Sequence, residues 1–480
     1  MADTKGKPPL LRDAHLGPSL DLPLLDSPRV QEGRVDRAVR KNWLLWATAF
    51  PLLNGLVVWL VLSTFNSGSS ASECGGWGTA RKLQKLEHPM VILISSDGFR
   101  WGYQHKAPTP NIDRLRVNGT EAETGMIPVY PSLTFPNHYS IVTGLYPAWH
   151  GVIGNYFSDP DPNSSEKFNM QNHNPKWWLG EPIWETVVKS GLSAATYFWP
   201  GSEVLKGPWK CPEEFCAHYN GSVPFESRVD SVLGFVDLPA EVRPRLITLY
   251  FEEPDEEGHV YGPDAPQITE QVVRVDAMIG KLMDGLEERG VLEDVTIIMV
   301  GDHGMVGNCP DKVIYLEDLE PWIKVPADWV DSYYPVFSIR PSPGVDVGSV
   351  FRNITEGLAS GKVKNAEFVK MYLKEDLPAR LHFSGSDRIQ PIIGMVAEGY
   401  RVAAKRTRRS MCGGAHGYDN AYLSMRTIFF GHGPQFARGR KVPSFENVQL
   451  YNVMTSILGI PAAPNNGTPS FVESVLLPNP

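Results

Sequence analysis

The chain has 480 residues, 42% hydrophobic and 21% charged, the composition of a folded protein with a sizeable core rather than of a disordered chain. Its net charge is −9 with no long basic run, which argues against a duplex nucleic-acid surface as its main role. Five cysteines is sparse usage for such a length.

Residues 1–41 are rich in Pro, Asp, Lys and Arg and have no amphipathic period, so a disordered tail is expected there. From Trp43 to Phe65 about 23 residues carry no charge, enough to cross a bilayer, and a transmembrane helix is expected over 42–65. A cleaved signal peptide would have a shorter apolar core nearer the start. Arg34, Arg37, Arg40 and Lys41 precede the span, and the first positive charge after it is Arg81. Positive-inside therefore places the tail in the cytosol and the rest in the lumen or outside the cell, a single-pass type II arrangement. Glycosylation sequons at Asn118, Asn163, Asn220, Asn353 and Asn466 all fall on that outer side. Residues 66–85 read as a lumenal stalk, opening on the flexible run Asn66 to Ser72, and the main domain is expected over 86–480.

All the cysteines follow the span, where disulfides are permitted. Cys211 and Cys216 are close enough to bridge locally. Cys309 and Cys412 could pair or act as thiolate ligands, with pairing the preferred reading because oxygen and imidazole groups already complete two sites. That leaves Cys74 in the stalk, free or joining two chains as a homodimer.

Three apolar runs read as strands buried on both faces, the mark of a parallel sheet: Val91–Ile94, Leu246–Phe251 and Val295–Val300. Each ends just before an aspartate or an Asp/His group, and in open α/β sheets sites form beyond the carboxyl ends of strands. From Thr269, apolar residues Val272, Val275, Ile279, Leu282 and Leu286 recur at helical spacing, with Gly290 suited to the end. A last strand over Thr427–Phe430 and a last helix over about Asn447–Leu458 follow. The stretch 316–409 lacks such groups and reads as a small α+β insertion. The fold class is therefore α/β, with a mostly parallel central sheet between helices.

The chemistry centres on Tyr130-Pro-Ser-Leu-Thr-Phe-Pro-Asn-His138. Thr134 would lie at a helix N-terminus, where free N–H groups favour negative charge. A threonine hydroxyl is a poor nucleophile unless a base or metal activates it, and alone it reads as an N-cap. A metal set accompanies it: Asp97, Asp255, His259, Asp302, His303 and His416, all in strand-end or glycine-rich contexts. Mixed Asp/His ligation suits zinc, and paired metals suit phosphoryl chemistry. Singly, Asp97 before Gly98 reads as a turn former and Asp302-His303-Gly304 as a loop.

Six motifs in order carry a resemblance: Ser96-Asp-Gly-Phe-Arg100, Leu133-Thr-Phe-Pro-Asn-His138, Thr143-Gly-Leu-Tyr-Pro147 with His150-Gly151, Glu252-Glu-Pro-Asp255 with Gly258-His259, Asp302-His-Gly-Met305, and His416-Gly-Tyr-Asp-Asn420. From about Pro89 to about Leu458 the chain resembles the nucleotide pyrophosphatase/phosphodiesterase family of the alkaline phosphatase superfamily. The resemblance implies an alkaline-phosphatase-like core, Thr134 as a covalent nucleophile, and two Zn2+ per chain. It divides the ligands into Asp97, Thr134, Asp302 and His303 for one ion and Asp255, His259 and His416 for the other. It also implies that Asn155 hydrogen-bonds a phosphoryl oxygen and that Phe135 and Tyr219 sandwich a nucleobase. His138 and His150 read as structural or supporting. The expected reaction is hydrolysis of pyrophosphate or phosphodiester bonds in nucleotides, nucleotide sugars or dinucleotides, releasing a nucleoside monophosphate. The alternatives are a lipid or choline-phosphate diesterase, a phosphomonoesterase, and a catalytically silent adhesion or receptor ectodomain. Golgi, vacuole and plasma membrane are equally open as its location.

Overall fold

The computed structural model describes residues 80–406 and 411–478. The stretch 42–65, the tail before it and Cys74 lie outside these residues. Among the described residues no helix is long and apolar enough to cross a membrane.

An eight-stranded sheet carries the domain. Numbered in chain order, its strands are β1 Met90–Ser96, β2 Thr120–Ala122, β3 Ala194–Tyr197, β4 Cys216–Ala217, β5 Leu246–Phe251, β6 Val295–Val300, β7 Phe429–His432 and β8 Arg440–Val442. Their spatial order is β8-β2-β7-β6-β1-β5-β3-β4. Only β7 runs against its neighbours. Every residue of β1, β5 and β6 is buried, which explains their unbroken apolar runs: helices cover both faces, so neither face can be polar.

The alternation of the strand splits the core in two. Val91 and Leu93 of β1 face a cluster that includes Ile141 and Val142 of the Thr134–Thr143 helix and Val453 and Ile457 of the Leu450–Leu458 helix. Met90, Ile92 and Ile94 face the other cluster, with Val229 and Val232 of the Phe225–Val236 helix. There they also meet Val272, Val275, Ile279, Leu282 and Leu286, the stripe read from helical spacing. That long helix spans Pro266–Glu288, starting before Thr269 because Pro266 opens its first turn, where a missing N–H costs nothing.

Residues 316–409 include a four-stranded sheet of Val330–Ser332, Val336–Ile339, Ile392–Val396 and Val369–Leu373, antiparallel throughout, with the helix Val347–Ala359 packed on it. This part has its own cluster of buried side chains, including Phe337, Ile354 and Ile392. Both pairings, Cys211–Cys216 and Cys309–Cys412, are formed. The second flanks a short antiparallel pair in which Val306–Asn308 meets Gly413–Ala415. It thus ties the segment after Asp302-His303 to the segment before His416.

Two predictions follow from this packing. Cys309 and Cys412 are 103 residues apart, so opening that bridge frees a long loop in the unfolded chain. Cys309→Ser with Cys412→Ser should lower stability by roughly 3–5 kcal/mol. Denaturant melts read the change, and a shift below 1 kcal/mol would contradict it. The second concerns His150, fully buried, which shares a hydrogen bond with Ser140 Oγ at 2.9 Å through Nε2 and accepts Val152 N–H at Nδ1. Burial pushes its pKa down to about 3 from 6.5. The unfolded state therefore binds the proton first, so stability is full above pH 6.5 and falls as the pH drops from there toward 3. The slope through this one group is about 1.4 kcal/mol per pH unit, and His150→Gln should remove it.

Candidate functional site

Asp97, Asp255 and Asp302 follow β1, β5 and β6, so the three parallel strands deliver three carboxylates to one edge of the sheet. Gly98 makes the first turn possible. Its φ is +63°, and a Cβ there would lie 2.7 Å from Asp255 Oδ1. A side chain at this position would therefore be strained and would press on the second carboxylate.

Each of the three carboxylates has one oxygen left without a hydrogen-bond partner. Tyr250 donates its hydroxyl to Asp97 Oδ2 at 2.7 Å. Gly98 N and His303 N both donate to Asp302 Oδ1, at 3.0 and 2.9 Å. The remaining oxygens, Asp97 Oδ1, Asp302 Oδ2 and Asp255 Oδ1, are buried and have no hydrogen-bond partner. A buried anionic oxygen without a donor is costly, and a cation is the group that relieves it.

The imidazoles are oriented for the same purpose. His259 Nδ1 donates to Gly414 O at 3.2 Å, His303 Nδ1 to Gly304 O at 2.9 Å and His416 Nδ1 to Ser132 O at 3.0 Å. In the neutral ring the proton then sits on Nδ1 and Nε2 presents its lone pair, the arrangement a metal-binding histidine needs. His259 Nε2 lies 3.2 Å from Asp255 Oδ2 and 3.1 Å from His416 Nε2. His303 Nε2 lies 3.1 Å from Asp302 Oδ2 and 3.4 Å from Asp97 Oδ1. The groupings with metal-binding spacing are Asp255-His259-His416, Asp97-Asp255-His303 and Asp97-His138-Asp302. The chain therefore brings all six Asp/His residues of the sequence reading into one cluster, with Asp255 shared between its two halves.

Charge competition within the cluster is strong. Burial, then the charges of Asp302 and Asp255, push the Asp97 carboxyl well above its usual range. Burial would raise Asp302 too, but His303 and His138 outweigh it and hold it well below. Burial and the charge of His303 push His416 down to about 3. With no cation between them these groups cannot all ionise.

Thr134 is the first residue of its helix, and Leu133 occupies the cap position without a side-chain hydrogen bond. Its hydroxyl therefore does no capping. Oγ1 lies 3.3 Å from His303 Nε2, facing the Asp97/Asp302 half. The turn of the helix is held by His138, whose Nδ1 donates to Thr134 O at 2.9 Å while Ser95 Oγ bonds Nε2 at 2.8 Å. The same Nδ1 is 3.3 Å from Asp302 Oδ2, so His138 couples the threonine backbone to a carboxylate.

Asn155 Oδ1 accepts the Phe135 N–H at 3.0 Å, which turns the amide NH2 of Asn155 away from the helix as a donor. Phe135 packs on Trp178 and Phe168, with ring centroids 5.9 and 6.3 Å away. Tyr219 is half exposed and meets Phe198 and Tyr250 at 5.4 and 6.4 Å. The Phe135 and Tyr219 rings thus pack against different sets of aromatic neighbours. Arg100 donates to Met305 O and serves the Asp302 loop. Of the sequon asparagines, Asn163 and Asn220 are exposed. Asn118, Asn353 and Asn466 are half-buried, Asn118 donating to Arg114 O and Asn466 accepting from Tyr146 N.

Sequence reading passed over Tyr250 and Ser95, which stand opposite each other in the β1–β5 register. The available signal was a polar residue near the end of each otherwise aliphatic strand. It also passed over Glu252, held by Arg228 at 2.8 and 2.9 Å just before the Asp255 turn.

The family described as type I phosphodiesterase / nucleotide pyrophosphatase matches residues 91–419. Human ectonucleotide pyrophosphatase/phosphodiesterase family member 1 is 42% identical over 403 residues, covering 82% of this chain and 42% of that protein. Venom phosphodiesterase 2 of Crotalus adamanteus is 39% identical over 418 residues, covering 85% of this chain and 50% of that one. The chain thus spans about half the length of the curated relatives it matches. The solved structure of murine ectonucleotide pyrophosphatase/phosphodiesterase 5 superposes with a TM-score of 0.72 at 31% identity, over 81% of this chain and 100% of that one. An inactive form of the same murine protein, with a threonine replaced by alanine and AMP bound, gives 0.72 at 30% identity, again over 81% of this chain and 100% of that one. On the matched residues, the sheet and the Asp/His cluster, the chain belongs to the type I phosphodiesterase / nucleotide pyrophosphatase family.

Proposed function

We propose that this chain hydrolyses phosphodiester and pyrophosphate bonds in nucleotides and their derivatives, releasing a nucleoside monophosphate by way of a phosphothreonine-type intermediate on Thr134. The observation that carries the reading is the convergence of three unpartnered carboxylate oxygens beside an uncapped threonine hydroxyl. Asp97, Asp302 and His303 beside Thr134, and Asp255, His259 and His416 opposite, would hold two Zn2+. When bound, zinc supplies Lewis-acid polarisation and a lowered hydroxyl pKa. The chain's own residues do the rest. The Thr134 oxygen attacks phosphorus as the bond to the leaving oxygen breaks, and water later cleaves the threonyl ester and restores the hydroxyl. The helix N-terminus and the Asn155 amide NH2 offer donors to the phosphoryl oxygens as their charge grows. His138 keeps Thr134 in place through its carbonyl.

Substrate choice rests on the walls. Phe135 and the exposed face of Tyr219 offer aromatic surfaces for a base, and stacking tolerates different bases. The structure with AMP supports a nucleoside monophosphate as a fitting ligand for a relative of this fold. We further propose that the stretch 42–65 anchors the chain with its hydrolase domain on the lumenal or outer side. The two disulfides support an oxidising compartment.

Thr134→Ala should lower kcat by several orders of magnitude with the fold intact by circular dichroism, and no phosphoryl group should be trapped on the variant. Near-normal turnover would overturn the covalent route. Chelation should abolish activity and Zn2+ restore it, and Asp302→Asn should bind less metal by elemental analysis, whereas full activity in a metal-free protein would refute the centre. Tyr219→Ala should lower kcat/KM for nucleotides about 10- to 100-fold while sparing a small diester without a base. Equal losses on both would make Tyr219 a structural residue.

A further inference from the structure

At the opposite edge of the sheet, where β1, β3 and β5 begin, the surface folds into a basin of about 930 Å³. The strands between it and the Asp/His cluster are six or seven residues long, so the two sites lie roughly 20 Å apart. The run-in to β1 supplies one wall. Leu83 and Leu86 pack against the core, and Leu83 N–H donates to Arg289 O and Leu86 N–H to the Asp294 carboxylate. That fixes Arg81, Lys82 and Lys85 at the basin. The loop entering β5 supplies Arg243 and Arg245, anchored by Arg243 Nε to Leu238 O and by Arg245 N to Ser193 O.

Five cations therefore face one concavity, against the carboxylates of Glu87 and Glu241. Among the described residues none of the five is ion-paired. Five arginines elsewhere, Arg114, Arg228, Arg289, Arg380 and Arg406, each hold a carboxylate within 2.8 Å, and others such as Arg340 and Arg388 donate to backbone carbonyls. In a chain of net charge −9, this is a local excess of positive charge on a preformed surface. Burial disfavours the charge on Arg243 and Arg245, and the Asp237, Glu241 and Glu87 carboxylates offset it only in part. Five cations against two carboxylates leave an excess of like charge that attracts a multivalent anion, since one ligand relieves several repulsions at once.

We propose that this basin binds a polyvalent oxyanion, one carrying two or more phosphate or sulfate groups, at a site separate from the Asp/His cluster. Three forked guanidiniums, Arg81, Arg243 and Arg245, with the flexible ammonium groups of Lys82 and Lys85, suit clustered tetrahedral groups better than a single carboxylate.

The test uses the full chain purified in detergent, with AMP at saturation to occupy the Asp/His site. Inorganic tripolyphosphate and sucrose octasulfate are titrated separately by calorimetry. One probe molecule should bind per chain, more weakly as salt is raised. Arg243→Gln with Arg245→Gln should weaken binding at least tenfold and leave nucleotide hydrolysis unchanged. Should that pair disturb folding, the exposed triple change Arg81→Gln, Lys82→Gln and Lys85→Gln provides the same reading. Binding of both probes supports the oxyanion class as a whole, and binding of one names the group. Unchanged affinity in the triple variant, competition between probe and AMP, or no binding of either probe would overturn the proposal.

Discussion

The structure depends on a repulsion that it does not relieve by itself. Three carboxylates delivered by adjacent parallel strands meet in a buried space, each with an oxygen that no donor reaches. A protein normally avoids this, because an isolated buried charge is expensive and a buried like-charge pair more so. Here the surrounding groups commit the other side of two of the carboxylates to fixed donors, Tyr250 on Asp97 and two backbone N–H groups on Asp302. The fold thus spends stability on holding an electrostatic defect in shape, and it does so at the edge where the sheet is most rigid. That rigidity is what a phosphoryl-transfer site requires, since its catalysis comes mainly from positioning and preorganised charge.

Much of this arrangement was legible in the chain. A short apolar run with no polar alternation, rich in β-branched residues, fits a strand covered on both faces, so β1, β5 and β6 were legible, and each pointed to the aspartate that followed. The long helix was read from Val272, Val275, Ile279, Leu282 and Leu286 because burial on one side leaves a 3.6-residue rhythm. Thr134 stood out through its prolines and the helix they begin.

What sequence did not show were relations set by register. Tyr250 reaches Asp97 because β1 and β5 pair as they do, with Ser95 opposite Tyr250. No local pattern encodes that pairing. His138 read as structural or supporting, but its partners were not legible: the turn places it between a carbonyl and a carboxylate. The cations of the basin come from two segments far apart in the chain, Arg81 to Lys85 and Arg243 to Arg245, with no helical or strand rhythm. Their convergence is a product of topology: loops that enter neighbouring parallel strands share one edge of a sheet.

The Cys309–Cys412 bridge has a consequence for how such a chain can change over time. Its Cα atoms are 4.2 Å apart, so the segment between them, the four-stranded sheet included, starts and ends at nearly one point, while Val336, Leu381, Phe383 and Ile393 within it pack into the main core. A segment attached in this way can lengthen, shorten or be exchanged for another without altering the span its ends must bridge. The strands that deliver the aspartates lie outside that closed loop. The far side of this segment, the helix Val347–Ala359 included, is therefore freer to diversify than the face that packs on the main core.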